Sequence, residues 1–154
     1  MNLYELTFYV TIGLALPFWA AMILAPGWSV TRRVLGSVWP VLLLALPYTL
    51  LELPYYVNQL PELIRPRFDT LAELVRGHNE VSLVWLHLLA VDFLAGRWIY
   101  LDSRERGLHP LIMAPVLTVC GFFAPAGLAI YLVLRTGWPA RHVTFPLPAP
   151  TRTP

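Results

Sequence analysis

The segment from residue 85 to residue 102, WLHLLAVDFLAGRWIYLD, has the length of a membrane-spanning helix but carries three ionisable side chains in its interior. These side chains are His87, Asp92 and Arg97. A charged side chain at the centre of a bilayer costs about 2.5–3.5 kcal/mol on insertion scales, so such residues rarely face lipid. The segment therefore predicts an internal polar site, and the rest of the chain is expected to form the wall around it.

The overall composition also indicates a membrane protein. Of the 154 residues, 57% are hydrophobic and 13% are charged, whereas soluble domains contain about 25% charged residues. No basic patch is interleaved with aromatic residues, so the sequence gives no indication of nucleic-acid binding. A single cysteine, Cys120, excludes an internal disulfide, and the chain has no phosphate-binding loop, HExxH motif or nucleophile elbow. We expect neither a cofactor nor a metal site.

Four apolar stretches predict an all-α fold, a four-helix transmembrane bundle with both termini on one side. About 20 apolar residues suffice to cross the hydrocarbon core, and the predicted spans are approximately 3–25, 34–53, 81–101 and 111–134. A short amphipathic surface helix is expected between the second and third spans. Asp69 is its predicted N-cap, and Gly77 is its predicted end.

These spans define a single integral membrane domain over residues 1–136. The tail from 137 to 154 contains five prolines, and we expect it to be disordered. The first apolar run has no basic residues before it and is too long for a signal peptide, so it is expected to be retained. Because no Ser- and Arg-rich transit peptide precedes it, we expect a bacterial inner membrane as the location.

The three ionisable residues of the third span point in different directions. At 100° per residue, His87 and Asp92 are about 140° apart, as are Asp92 and Arg97. Each is therefore expected to find its partner on a neighbouring helix. Tyr48 and Glu52 of the second span are expected near the depth of His87.

Each of these groups also has a purely structural interpretation. Asp92 could fix helix packing through a hydrogen bond, and His87 could be an ordinary core histidine. Arg97 is expected either to extend to the interface or to pair with Asp102 or a backbone carbonyl. The charged turn at 102–106 is expected to be solvated.

The chain resembles a known family at particular motifs. These are Trp85-Leu-His87, the run from Asp92 to Trp98, Asp102, His109-Pro110, and the run 122–131 with Pro125 and Gly127. In them the chain is similar to the abscisic-acid-deficient-4-like family of small membrane proteins, whose plant members are tied to neoxanthin synthesis. The likeness covers nearly the whole chain, from the first predicted span through the fourth.

The resemblance implies a carotenoid or related apolar isoprenoid as the ligand. In the plant reaction, an epoxide end group of violaxanthin is isomerised to an allene. That change requires a general acid at the epoxide oxygen and a base at the neighbouring C–H, without a redox cofactor. The candidate catalytic residues are His87, Asp92 and Arg97, and the candidate substrate-binding residues are Trp85, Trp98, Tyr48 and Glu52. The alternative is a non-catalytic membrane protein that binds a pigment or assists assembly, with the same residues holding the helices together.

Overall fold

The computed structural model describes residues 2–138, except for the side chains of Glu52 and His78. Within this range the chain forms eight helices and no strand, so the all-α prediction is confirmed for the described residues. The helices are α1 (Leu3–Leu24), α2 (Ser29–Gly36), α3 (Trp39–Val57), α4 (Leu60–Ile64), α5 (Phe68–Leu74), α6 (His78–Glu105), α7 (Pro110–Phe122) and α8 (Ala124–Gly137). The tail predicted to be disordered lies, from residue 139 onward, outside the described residues.

Two helices, α1 and α6, are long and apolar enough to cross a membrane. A third candidate span arises if α2 and the first part of α3 are taken together as one element with a bend of 46°. The bend falls just before Pro40, which occupies the first turn of α3, where the missing N–H of a proline is tolerated. The described residues therefore contain two to three candidate spans.

Helices α1 and α6 run side by side in the same direction. At one end the side-chain amide of Asn2 donates a hydrogen bond to the side-chain oxygen of Asn79, at 3.0 Å. At the other end the Tyr100 hydroxyl donates to the carbonyl of Pro26, at 2.8 Å. Between these points the two helices share a buried apolar core that includes the Phe93 side chain.

Helix α3 runs antiparallel to α6. Tyr48, in the middle of α3, contacts His87, whereas Ser37, just before α3, contacts Arg97 farther along α6. Helix α3 also packs against α1, so the three long elements form a triangular bundle. Leu44 contributes the fully buried contact of α3 to the common core.

The segment predicted as a fourth span is a helical hairpin, and the prediction of one continuous helix over 111–134 is wrong. Helices α7 and α8 have 13 and 14 residues, about 20 Å each, which is less than the roughly 30 Å hydrocarbon thickness. The chain turns at Phe123, and a Cβ atom at Gly127 would overlap the backbone of Cys120. Trp138, after α8, returns to Arg106, which precedes α7.

The local sequence accommodates the reversal. Pro125 sits in the first turn of α8, where its missing N–H costs nothing, whereas inside a continuous helix it would clash with the preceding turn. Gly127 has no side chain and lets α8 pack directly on the backbone of α7. Hydropathy alone merges the two short helices into one apolar stretch.

The hairpin places the two described chain ends at opposite ends of the bundle. Asn2 lies beside the start of α6, and Trp138 lies beside Arg106 just after its end. Since α6 has 28 residues, these points are separated by about 40 Å. The expectation that both termini share a side is therefore wrong for the described ends.

The predicted surface helix is present, although its limits differ. Helix α5 begins after Arg67 and carries Asp69 in its first turn, where a carboxylate interacts favourably with the helix dipole. Gly77 is the N-cap of α6 and does not end α5. The short helix α4 precedes α5, so two short helices connect α3 to α6.

Cysteine labelling in sealed membrane vesicles tests the hairpin. On a Cys120→Ser background, we expect Arg33→Cys and Thr136→Cys to react from the same side, because both residues lie near the end of α6. Asn58→Cys should react from the other side. A fourth complete span would instead place position 136 on the side of position 58, which would contradict the hairpin.

Candidate functional site

Asp92 lies at the midpoint of α6 and lines an apolar cleft of about 300 Å³. Helix α1 contributes Trp19, α6 contributes Trp85 and Leu89, and the tip of the α7–α8 hairpin contributes Phe122. The Asp92 side chain is half-buried, and none of the described side chains forms a hydrogen bond with its carboxyl group. We call this space the Asp92 cleft.

The short hairpin accounts for the Asp92 cleft. Helices α7 and α8 pack on α6 from its C-terminal end only as far as Phe122. Beyond that tip, toward the N-terminal end of α6, no helix of the hairpin covers the side of α6 that bears Trp85 and Asp92. The cleft therefore occupies the position that the second half of a full-length helix would fill.

Trp19 separates α6 from the hairpin. A Cβ atom added at Gly96 would overlap the Trp19 ring, and one added at Gly121 would lie 3.5 Å from it. The indole thus packs where glycines on both α6 and α7 leave room for it. The group that packs closely against Gly96 is therefore a side chain of α1.

His87 faces a different helix. Its Nδ1 atom lies 2.6 Å from the hydroxyl of Tyr48, and the two rings meet edge to face at 5.1 Å between centroids. The pair lines a second apolar cleft, of about 430 Å³, with Val84 and Leu63. We call this the His87 cleft. The expected proximity of Tyr48 to His87 is thus observed, whereas the Glu52 side chain lies outside the described part of the chain.

Arg97 holds the end of α2. Its Nε atom donates to the carbonyl of Leu35 at 2.6 Å, and Nη2 donates to the carbonyl of Ser37 at 3.1 Å and to that of Gly36 at 3.4 Å. A guanidinium group at a helix C-terminus satisfies free carbonyls and opposes the negative end of the helix dipole. Of the two partners expected for Arg97, the structure shows the backbone carbonyls.

The three candidate catalytic residues do not share one site. His87 faces α3, Asp92 faces α1 and the hairpin tip, and Arg97 faces the end of α2. Trp85 lines the Asp92 cleft, but Trp98 packs edge to face on Tyr131 of α8. Asp92 is therefore the one member of the proposed catalytic set in the cleft beside the hairpin.

A polar cluster around Asp102 was not predicted. The Asp102 carboxylate accepts hydrogen bonds from Nε of Arg106 at 2.7 Å, from Nε of Arg135 at 2.9 Å, and from the hydroxyl of Tyr131. The Arg135 guanidinium also stacks over the Trp98 ring, at 5.8 Å. The cluster ties the end of α6 to α8 and holds the hairpin in place.

The expectation of a solvated turn at 102–106 is wrong for the side chains of Asp102 and Arg106. The Arg106 side chain is 9% exposed and that of Asp102 is 15% exposed. The i,i+4 spacing of Asp102 with Arg106, and of Tyr131 with Arg135, puts each pair on one helix face. This i,i+4 spacing on both helices is the sequence signal for the cluster, but it predicts a contact between them only when α8 is known to return to the end of α6. His109 is the N-cap of α7, and its ring accepts the N–H of Leu111.

Within the described residues, no group of three or more His, Cys, Asp or Glu side chains is placed to hold a metal ion.

The profile of the ABA DEFICIENT 4-like family matches residues 6–131. The chain belongs to this family. The match begins in α1 and ends at Tyr131, so it includes the Asp92 cleft and most of the hairpin.

A curated relative is the protein ABA DEFICIENT 4, chloroplastic, of Arabidopsis thaliana, which is 26% identical to the chain over 134 residues. That alignment covers 83% of this chain and 60% of the relative, so the chain spans less than two thirds of the relative's length. No solved structure matches the chain.

Replacing Asp102 tests the anchoring cluster. In Asp102→Asn an amide would face two arginines, and we expect the free energy of unfolding to fall by about 3–5 kcal/mol because a partly buried pair is broken. Thermal unfolding of the purified protein would measure the change. Glu73→Gln, which breaks the exposed Glu73–Arg76 pair, is the matched control and should cost at most about 1 kcal/mol. Equal effects of the two variants would contradict the anchoring role.

Proposed function

We propose that this protein is a multi-pass protein of a bacterial cell membrane that isomerises a carotenoid or related apolar isoprenoid by acid/base chemistry at Asp92. The main observation behind this proposal is the environment of the Asp92 carboxyl group. It has no hydrogen-bond partner among the described side chains and lies at mid-helix in an apolar cleft. Ionisable groups at membrane depth are functional candidates by default, and family membership supports the ligand class.

The apolar lining suits a long hydrocarbon. Trp19, Trp85 and Phe122 contribute aromatic surfaces, and Asp92 is the ionisable side chain among the described lining residues. Ligand sites combine a mostly apolar wall with a few polar groups that fix orientation. A cleft of this kind, open beside the hairpin tip, can admit an isoprenoid end group directly from the bilayer.

The proposed reaction needs one carboxyl group. The protonated Asp92 carboxyl donates its proton to the epoxide oxygen as a carbon–oxygen bond breaks and a hydroxyl forms. The resulting carboxylate then removes the proton from the neighbouring vinylic C–H, and the electron pair of that bond completes the allene. Asp92 returns to its protonated form, and the product is an isomer of the substrate, so no oxidant or reductant is consumed.

The remaining residues of the predicted set take other roles in this proposal. Arg97 positions the end of α2 through three carbonyls and does not contact the substrate. Trp98 belongs to the anchoring cluster with Arg135. Trp85 remains a substrate-binding residue, because it lines the Asp92 cleft.

Asp92→Asn tests the catalytic role. The amide keeps the shape of the side chain but cannot transfer the proton, and acid/base groups contribute about 10²–10⁴-fold to rate. We expect product formation from an epoxy-carotenoid to fall at least about a hundredfold, with an unchanged yield of folded protein. Chromatography measures the conversion, because substrate and product have the same mass.

Asp69→Asn, the same change on the exposed helix α5, is the control and should retain full activity. The non-catalytic alternative predicts a different result. If Asp92 only holds the helices together, Asp92→Asn should lower the yield of folded protein, and the wild-type chain should leave every added carotenoid unchanged.

Purification from a host that makes carotenoids provides a second test. We expect pigment to copurify with the wild-type chain and to give a structured absorption band in the blue, without a haem Soret band. Trp85→Ala should reduce the bound pigment, because it removes one aromatic wall of the Asp92 cleft. Trp28→Ala, at an exposed position before α2, should not. A colourless wild-type preparation would contradict pigment binding, and a Soret band would indicate a haem protein instead.

A further inference from the structure

The His87 cleft and the Asp92 cleft adjoin on the surface of α6. Leu88 lines both clefts, and its side chain is 47% exposed. It forms a ridge, with the Tyr48–His87 pair on the α3 side and Asp92 on the hairpin side. Asp92 follows His87 by five positions, which is about 7.5 Å along the helix axis. The two polar positions thus stand at opposite ends of one apolar surface.

The Tyr48–His87 pair retains hydrogen-bonding capacity after its internal hydrogen bond is made. If the Tyr48 hydroxyl donates to Nδ1 of His87, then Nε2 carries a hydrogen and remains a donor, while the phenolic oxygen can still accept. If Nδ1 donates to Tyr48, the phenolic hydrogen becomes the free donor and Nε2 the acceptor. In either tautomer the neutral pair offers one donor and one acceptor, which is the complement of an alcohol.

Other headgroup chemistries fit this position less well. The described residues that line the two clefts include no arginine, so a phosphate or carboxylate would have no cationic partner there. Each cleft alone lies in the lower part of the range of about 300–1,000 Å³ that ligand sites occupy. Together the two clefts reach the middle of that range.

We propose that the Tyr48–His87 pair is an alcohol-binding subsite, and that one elongated isoprenoid alcohol lies across Leu88 with its hydroxyl at this pair and its other end in the Asp92 cleft. The ligand class is taken from the proposed function. The subsite adds the requirement that the ligand carry a hydroxyl group at a fixed distance from its reacting end. Leu88 then selects for ligand length, because only a long molecule can occupy both clefts at once.

Binding measurements on the purified full-length chain test the subsite without any reaction. Tritiated geranylgeraniol, a C20 isoprenoid alcohol, is the probe, and its methyl ether is the competitor that has lost the hydroxyl hydrogen. The wild-type chain should bind the alcohol about threefold to tenfold more tightly than the ether, which is the value of one net hydrogen bond. The double variant Tyr48→Phe/His87→Leu should bind both equally. Tyr9→Phe, on the exposed face of α1, should bind like the wild type.

A second variant tests the ridge without altering the polar pair. Leu88→Trp places a large side chain on an exposed position, where it does not disturb the core. It should weaken binding of geranylgeraniol at least about threefold more than binding of geraniol, the C10 alcohol, because the short molecule can occupy one cleft without crossing the ridge.

Three results would overturn the proposal: equal binding of alcohol and ether by the wild type, undiminished discrimination in the double variant, or equal weakening of both chain lengths by Leu88→Trp. None of these results depends on catalysis by Asp92. Conversely, an inactive Asp92 would leave the predicted binding pattern intact, so the failure of the subsite and that of the proposed reaction can be told apart.

Discussion

The interaction on which the architecture depends is the hydrogen-bonded ion cluster at Asp102. One carboxylate joins Arg106 of the turn after α6 to Arg135 and Tyr131 of α8. The hairpin also packs apolar side chains such as Leu117 and Cys120 into the core shared with α6, but neither of its helices is long enough to be fixed by crossing a bilayer. Charge-assisted hydrogen bonds are directional, so the cluster fixes the height of the hairpin as well as its attachment.

The position of the hairpin in turn determines the shape of the Asp92 cleft. Because α7 and α8 are anchored at the C-terminal end of α6, their tip reaches only the middle of that helix. Close packing of Gly127 on Cys120 keeps the hairpin narrow. A polar side chain at mid-helix is thereby left in an apolar cleft, and the cluster at Asp102 anchors the hairpin whose tip borders that cleft.

Local sequence features predicted much of the fold. The all-α class and the positions of the first and third predicted spans follow from hydropathy, which is a property of the local sequence. The hairpin did not follow, because hydropathy reports how apolar a stretch is and not the path it takes. Pro125 and Gly127 permit the reversal without requiring it.

The site was harder to predict than the fold for the same reason. Helical geometry correctly placed His87, Asp92 and Arg97 on different faces of α6. It did not show which helix each face contacts, because that depends on the packing of the neighbouring helices. Arg97 matched one of its two expected partners, the backbone carbonyls. The Asp102 cluster joins residues about 30 positions apart, and such a contact could not be inferred from spacing along one helix.

The Trp19 side chain sets the distance between the hairpin tip and α6. Its ring stands between α6 and α7 at two positions that glycine leaves open, so the thickness of one indole sets how far the hairpin tip stands from the helix that carries Asp92. Relatives with a smaller side chain there would bring the tip onto α6 and narrow the entrance, whereas a larger residue at either glycine would force the helices apart. Substitutions at positions 19, 96 and 121 would thus change the width of the Asp92 cleft without changing Asp92 itself.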